Sequence, residues 1–245
     1  MKIAGLLCGL PYDCEKTIQS QLEYLIEPNN IEMFVFSTED EKTAKILEYY
    51  KPNIKYSKLI DDPNKDIKGR IREVYQYQKV RECFENISKK YDVVVRWRFD
   101  SLITKPIDIP SLNIGPEDIM MFVGHDYRGF ETGLDGFAIG CYDVMDIYTN
   151  FFNVGRYYRV KKNMVYGRKW LADTEHRMLA HLHHNNINVK SLSFKVPGLQ
   201  MIYSSRPEVH TYDLKLLNQL TNRKDLLFIV DNPMGQSTEN EYIVP

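Results

Sequence analysis

At 245 residues, 43% hydrophobic and 27% charged, the chain has material for one large domain or two small ones and for a substantial core. Its formal net charge of -1 excludes a global drive toward nucleic acid or anionic membrane, so any anion site must be local. No apolar run approaches the ~20 residues that span a bilayer.

The short apolar start, Met1 to Leu10, runs into Pro11-Tyr12-Asp13 without a small-residue cleavage site, so it reads as a core strand over 2–10 rather than a signal peptide. Cys8, Cys14, Cys83 and Cys141 form no Cys-x-x-Cys pair, and a reduced, cytoplasmic setting is expected. Ile18, Leu22, Leu25 and Ile26 give helical spacing over 13–26, stopped by Pro28. Glu32 to Ser37 predicts a second strand. Thr38 and Glu41 stand in capping-box spacing at the head of a helix that ends before Pro52. Ile54 to Ile60 fits a third strand, and 61–66 a turn-rich loop. A long helix is predicted over 67–87, with Ile67, Ile71, Val74, Tyr77, Val80, Phe84 and Ile87 on its apolar face and Arg72, Gln76 and Lys79 elsewhere. A strand over 91–100 follows. The order β-α-β-α-β-α-β predicts an α/β fold, a mostly parallel sheet with helices on both faces.

The second half is less regular. Short strands are predicted at 120–123 and 137–141, a helix at 144–152, a helix at 171–184, and strands at 187–194, 201–204 and 226–230, with a short helix at 214–220. The simplest organisation is one domain over 1–231 and a polar tail over 232–245. Segment 155–170 mixes six basic residues with four aromatics and lacks periodicity. Such a stretch suits an acceptor lid, a polyanion or a membrane surface; the plain alternative is a solvated loop whose aromatics plug the core. His176, His181, His183 and His184 raise zinc only as a minor alternative to packed or surface histidines.

The most informative stretch is Tyr91-Asp92-Val93-Val94-Val95-Arg96-Trp97-Arg98-Phe99-Asp100. In a strand, Val94, Arg96, Arg98 and Asp100 share one face and Val93, Val95, Trp97 and Phe99 the other. Charges on a buried strand must meet each other, a metal or an anionic ligand. Ligands of open α/β sheets bind beyond the carboxyl ends of strands. Asp100 and the loop Gly9-Leu10-Pro11-Tyr12-Asp13 both occupy such ends. No Gly-x-Gly-x-x-Gly or Gly-x-x-x-x-Gly-Lys-Ser/Thr occurs, which removes the main warrants for Rossmann dinucleotide and P-loop chemistry.

This strand, with the helix segment Tyr75-Gln76-Tyr77-Gln78-Lys79 before it, resembles nucleotide-sugar glycosyltransferases of the GT-A fold. It is most similar to the branch related to WavE-type lipopolysaccharide-synthesis proteins and comparable viral and bacterial transferases. Segments 135–140, 143–148 and 174–179 continue the likeness, which covers roughly residues 1–195. The resemblance implies a GT-A-like domain that moves a sugar from a UDP- or GDP-sugar to a glycan or lipid-linked hydroxyl in polysaccharide biosynthesis. It implies that Asp100 takes the place of the last Asp of an Asp-x-Asp motif, which helps hold Mn²⁺ or Mg²⁺ against the donor diphosphate. Arg98 stands where the first Asp would be, so Arg96 and Arg98 are expected to face phosphates directly through their planar donor forks. The alternative is that Arg96, Arg98 and Asp100 neutralise one another as a structural ion-pair row.

Leu10, Tyr12 and Asp13 are expected to hold the nucleotide, with Tyr12 stacking on the base, and Gln76 and Lys79 to reach the donor from the preceding helix. Asp135, in a Gly-rich loop, is assigned to sugar hydroxyls or to base catalysis, and Glu175 to deprotonation of the acceptor if the enzyme inverts. The plain alternatives are a turn Asp and a first-turn Glu. Late His210 is a further candidate metal ligand. The rival from another class is a non-catalytic GT-A-like binder of glycan or partner. A nucleotidyltransferase would need a Gly-rich basic loop after the first strand, which residues 8–16 do not supply.

Overall fold

Six consecutive buried residues, Ile3–Cys8, form the central strand β1 of the computed structural model. Burial on both faces is what a near-continuous apolar run with parallel neighbours produces. The structure describes residues 1–11, 14–61, 79–121, 124–125, 131–132, 136–154, 158–161, 170–171, 178, 181–196, 199, 201–203 and 228–230. After β1 come a 3-10 turn at Cys14–Lys16, α1 (Ile18–Gln21) widening into a π turn at Leu22–Ile26, β2 (Glu32–Thr38), α2 (Glu41–Tyr50) and β3 (Ile54–Ile60). Next are α3, described over 79–84, then β4 (Val93–Trp97), β5 (Ser101–Ile103), β6 (Asp118–Met121), β7 (Gly124–His125), β8 (Glu131–Thr132) and β9 (Ala138–Cys141). The rest comprises α4 (Tyr142–Val154), β10 (Tyr158–Lys161), β11 (Trp170–Leu171), α5, described over 181–184, β12 (Asn188–Ser191), α6 (Leu192–Lys195), β13 (Met201–Tyr203) and β14 (Phe228–Val230).

Seven strands form the main sheet in the order β12-β6-β9-β4-β1-β2-β3. Six run in one direction, and β9 opposes both its neighbours, β4 and β6. The predicted α/β architecture therefore forms: a mostly parallel sheet flanked by helices. Alternation assigns each strand residue to one of two cores. Ile3, Leu7, Met33, Val35, Val93, Val95, Trp97 and Ile139 pack on one face, under α1, α2 and the chain from Ile103 to Leu112. Ala4, Leu6, Phe34, Phe36, Val94, Ile119, Met121 and Ala138 pack on the other, under α3, α4 and α5. Arg81 ties two of these helices together, donating to Asp146 Oδ1 at 2.6 Å and Thr149 Oγ1 at 3.2 Å.

Several boundaries depart from expectation for identifiable reasons. The helix cap is Asp40, not Thr38: Asp40 Oδ1 accepts from Thr43 N at 2.7 Å, while Thr38 is still in β2, paired with Ile60. The strand predicted over 91–100 ends at Trp97, and a turn follows in which Ser101 N donates to Arg98 O at 3.2 Å. The strand predicted over 187–194 stops at Ser191 and becomes the helical turn α6. The long helix ends at 84 rather than 87, and Leu171, expected to start the helix over 171–184, is in the strand Trp170–Leu171. Strand β10 lies inside the aperiodic basic segment. The expected 61–66 loop (beyond residue 61), the 214–220 helix and the tail 232–245 lie outside the described residues.

Candidate functional site

Strand direction puts several chain ends at one edge. The last pairs of the central strands are Cys8↔Phe36, Leu7↔Trp97 and Arg96↔Ala138. Beyond them lie Gly9-Leu10-Pro11 from β1, the turn 98–101 from β4, and Gly136-Phe137 entering antiparallel β9. The β1 exit needs glycine: Gly9 has φ 126°, in the region that side-chain-bearing residues avoid. Gly9 N donates to Phe36 O at 3.1 Å, and Gly9 O accepts from Ser37 Oγ at 2.8 Å, so the loop holding Leu10 is fixed to β2.

Charge concentrates at the same edge. Among the described residues four Asp, Glu, Lys or Arg side chains are buried: Lys79, Arg96, Asp100 and Asp118. Asp118 starts β6 at the opposite edge. Arg96 is the last but one residue of β4, between Leu6 and Ala138. Lys79 lies at the carboxyl-edge end of described α3, because that helix runs back toward the start of β4.

In the turn, Arg98 donates from Nε to Asp100 Oδ1 and from Nη2 to Asp100 Oδ2, both at 2.9 Å. This is a two-point fork on a carboxylate. The Arg98 side chain is 40% exposed and that of Asp100 only 6%, so the arginine is the more accessible partner of the pair. Burial is the main reason the nearby Cys14 thiol is pushed up to about 11; the charge of Glu15 and, more weakly, that of Asp100 add to it. The Arg98–Asp100 contact is the one that the ion-pair alternative anticipates.

A divalent cation fits this arrangement poorly. Both Asp100 oxygens are already engaged by Arg98, and the described residues contain no group of three or more His, Cys, Asp or Glu placed to share an ion. His181, one of the histidines considered for zinc, is buried and hydrogen-bonds Ile147 O through Nε2 at 2.8 Å.

The support beneath the turn is not among the sequence-predicted site residues. Gln21 is fully buried. Its Oε1 accepts from Trp97 Nε1 at 2.9 Å and from Tyr50 Oη at 2.8 Å. Its Nε2 donates to Phe99 O at 2.9 Å and Ser101 O at 2.8 Å, with Arg98 O and Thr17 Oγ1 at 3.2 Å. Thr17 Oγ1 donates to Phe99 O at 2.5 Å. The available signal was the position of Thr17 and Gln21, four apart, on the stripe that also carries Cys14, Ile18 and Leu25. Polar residues embedded in an apolar stripe need buried partners.

Of the sequence-predicted site residues, Leu10, Lys79, Arg96, Arg98 and Asp100 are described. Tyr12, Asp13, Gln76, Asp135, Glu175 and His210 lie outside the described residues. No helix among the described residues is long and apolar enough to cross a membrane.

No family model and no curated protein matches the chain. Among solved structures it is similar to the apo form of the glycosyltransferase GlyE of Streptococcus pneumoniae TIGR4, with 12% identity and a TM-score of 0.45 over 78% of this chain. The chain spans 45% of the length of that structure.

Proposed function

We propose that the chain is a glycosyltransferase that takes a sugar from a UDP- or GDP-sugar and passes it to a hydroxyl of a glycan or lipid-linked acceptor. One observation carries this reading: Arg96, Arg98 and Asp100 stand at the carboxyl edge of the parallel pair β1/β4, beside the Gly9 loop, where an α/β sheet offers its ligand site. The motif resemblance of residues 75–100 to GT-A transferases, which includes the same three residues, agrees with it.

In this reading the exposed face of Arg98 takes the diphosphate, and Arg96 and Lys79 add positive charge behind it. Leu10, Tyr12 and Asp13 hold the nucleoside, and Gln76 reaches the donor from the helix. Glu175 or Asp135 accepts the acceptor's hydroxyl proton, and the freed oxygen attacks the anomeric carbon. The bond from that carbon to phosphate breaks, and its electron pair stays on the diphosphate oxygen. Guanidinium and ammonium groups stabilise the developing charge. No step is assigned to Mn²⁺ or Mg²⁺, because Arg98 already holds both Asp100 oxygens. The basic, aromatic segment 155–170 is assigned to the acceptor or to the membrane surface that carries it, on the cytoplasmic side.

The engaged state of Asp100 also favours a second reading, a GT-A-like binder without catalysis. Calorimetry with UDP and GDP, with and without Mn²⁺, followed by donor turnover, separates the two. Binding that weakens roughly tenfold or more in Arg98→Ala, with slow turnover of a sugar nucleotide, is expected. Binding without turnover of any donor or acceptor set favours the binder. Absence of binding to both nucleotides sinks the site.

A further inference from the structure

We propose that Gln21 is a positioning residue for this site: it fixes the shape of the turn 98–101 that presents Arg98 and Asp100. The consequence for nucleotide binding rests on the reading just given; the clamp itself does not.

The chemistry singles out glutamine. Trp97 Nε1 can only donate and main-chain carbonyls can only accept, so the amide has a single satisfactory orientation. Its oxygen takes Trp97 and Tyr50; its two N–H groups take Phe99 O and Ser101 O. One side chain therefore reads both the last residue of β4 and the carbonyls of the turn that follows. Arg98 O lies 3.2 Å away, and Thr17 completes the set at Phe99 O. The inward carbonyls of the turn end on this helix, while the Arg98 and Asp100 side chains pair with each other. Within the turn Gln21 bonds the main-chain oxygens of Arg98, Phe99 and Ser101, so its influence on the Arg98 and Asp100 side chains passes through the main chain.

A glutamate has the same length but, when ionised, no donor. Placed at position 21 it would aim a carboxylate at several carbonyl oxygens, and burial would raise its pKa. Once protonated it recovers one O–H donor. A methionine has similar reach and neither donor nor strong acceptor. These differences give a test that a purely structural role would not pass.

Hydrogen exchange of the 98–101 amides, as protection relative to wild type at the same pH, is measured for Gln21→Glu and Gln21→Met. Calorimetric affinity for UDP and GDP is measured alongside, and circular dichroism establishes that each variant is folded. Gln21→Glu is expected to lose protection in the turn at pH 8, with affinity down roughly tenfold, and to regain part of both at pH 6. Gln21→Met is expected to be loose and weak at both pH values. Should Gln21→Met not fold, the two pH arms of Gln21→Glu decide alone. Variants that melt earlier yet keep wild-type protection in the turn at both pH values overturn the clamp. Loss of protection with undiminished affinity overturns its role in binding. If wild-type protein binds neither nucleotide, the nucleotide reading fails, and the pH-dependent exchange of Gln21→Glu still decides the clamp.

Discussion

The six-membered ring of Trp97 lies over Gly5: a Cβ at that position would stand 2.6 Å from Cη2 and 2.7 Å from Cζ3 of the indole, and 2.6 Å from Ile31 Cγ2. All three contacts are closer than real Cβ atoms tolerate. Gly5 is thus the space that lets the largest buried side chain of the sheet fit and still reach Gln21.

Gly5→Ala is accordingly expected to destabilise the protein by about 1–3 kcal/mol through overpacking. The shift of the urea midpoint, with an unchanged slope, measures it. A variant as stable as wild type would mean that the ring moves freely, contrary to its 2.9 Å bond to Gln21.

His181 should make stability fall between neutral and mildly acid pH. Burial holds its pKa below the ordinary 6.5, and the charge of His184 works in the same direction against the Ile147 carbonyl. In the folded state the ring stays neutral where the unfolded chain takes up a proton. Its contribution is full above pH 6.5 and declines as pH falls from there through the folded value. Thermal melts from pH 7.5 to 5 should show the decline, and His181→Gln should remove that part of it. Parallel melting curves for the two proteins would refute the assignment.

Asp118 gives the opposite edge of the sheet an acid-sensitive clasp. Burial pushes its pKa up, but Lys190 and the Gly115 N–H outweigh this and hold it below the ordinary 3.8. Lys190 Nζ lies 2.5 Å from Oδ2 and joins β12 to β6. The contribution is present above the ordinary value and disappears as pH falls through the folded one. Asp118→Ala should cost about 1–2 kcal/mol at pH 7, the lower part of the range for charged hydrogen bonds because Lys190 is partly exposed. The gap between variant and wild type should narrow at pH 3.

How much of this was legible depended on which side-chain pattern had a single structural meaning. The alternation of β1 to β4 did: every apolar residue from Val93 to Trp97 went to the core that its parity assigned. Phe99 joined the Trp97 core even though the strand had already ended. Capping did not, because Thr38 and Asp40 both satisfy a cap pattern, and pairing of Thr38 with Ile60 decides between them. Gln21 was opaque because glutamine on a helix is usually solvated; only tertiary contact with the turn reveals its role. Arg98 and Asp100 were legible as charges on one face, with mutual pairing as one alternative; the turn that makes the pair bidentate was not, because the strand was expected to run on to residue 100.

The reversed strand β9 has a consequence of its own. Its pairing with β6 runs Met121↔Ala138 to Ile119↔Gly140, so the chain leaves the sheet after Met121 and re-enters it at Ala138, at the edge that carries Arg96. Within them β7 pairs with β8, a hairpin nested inside a hairpin. Chain can be added or removed there without shifting any register in the sheet, and a doubling of loop length costs only about 0.6 kcal/mol in closure entropy. The framework and the edge proposed to meet ligands are therefore separable by inheritance: one can drift while the other stays.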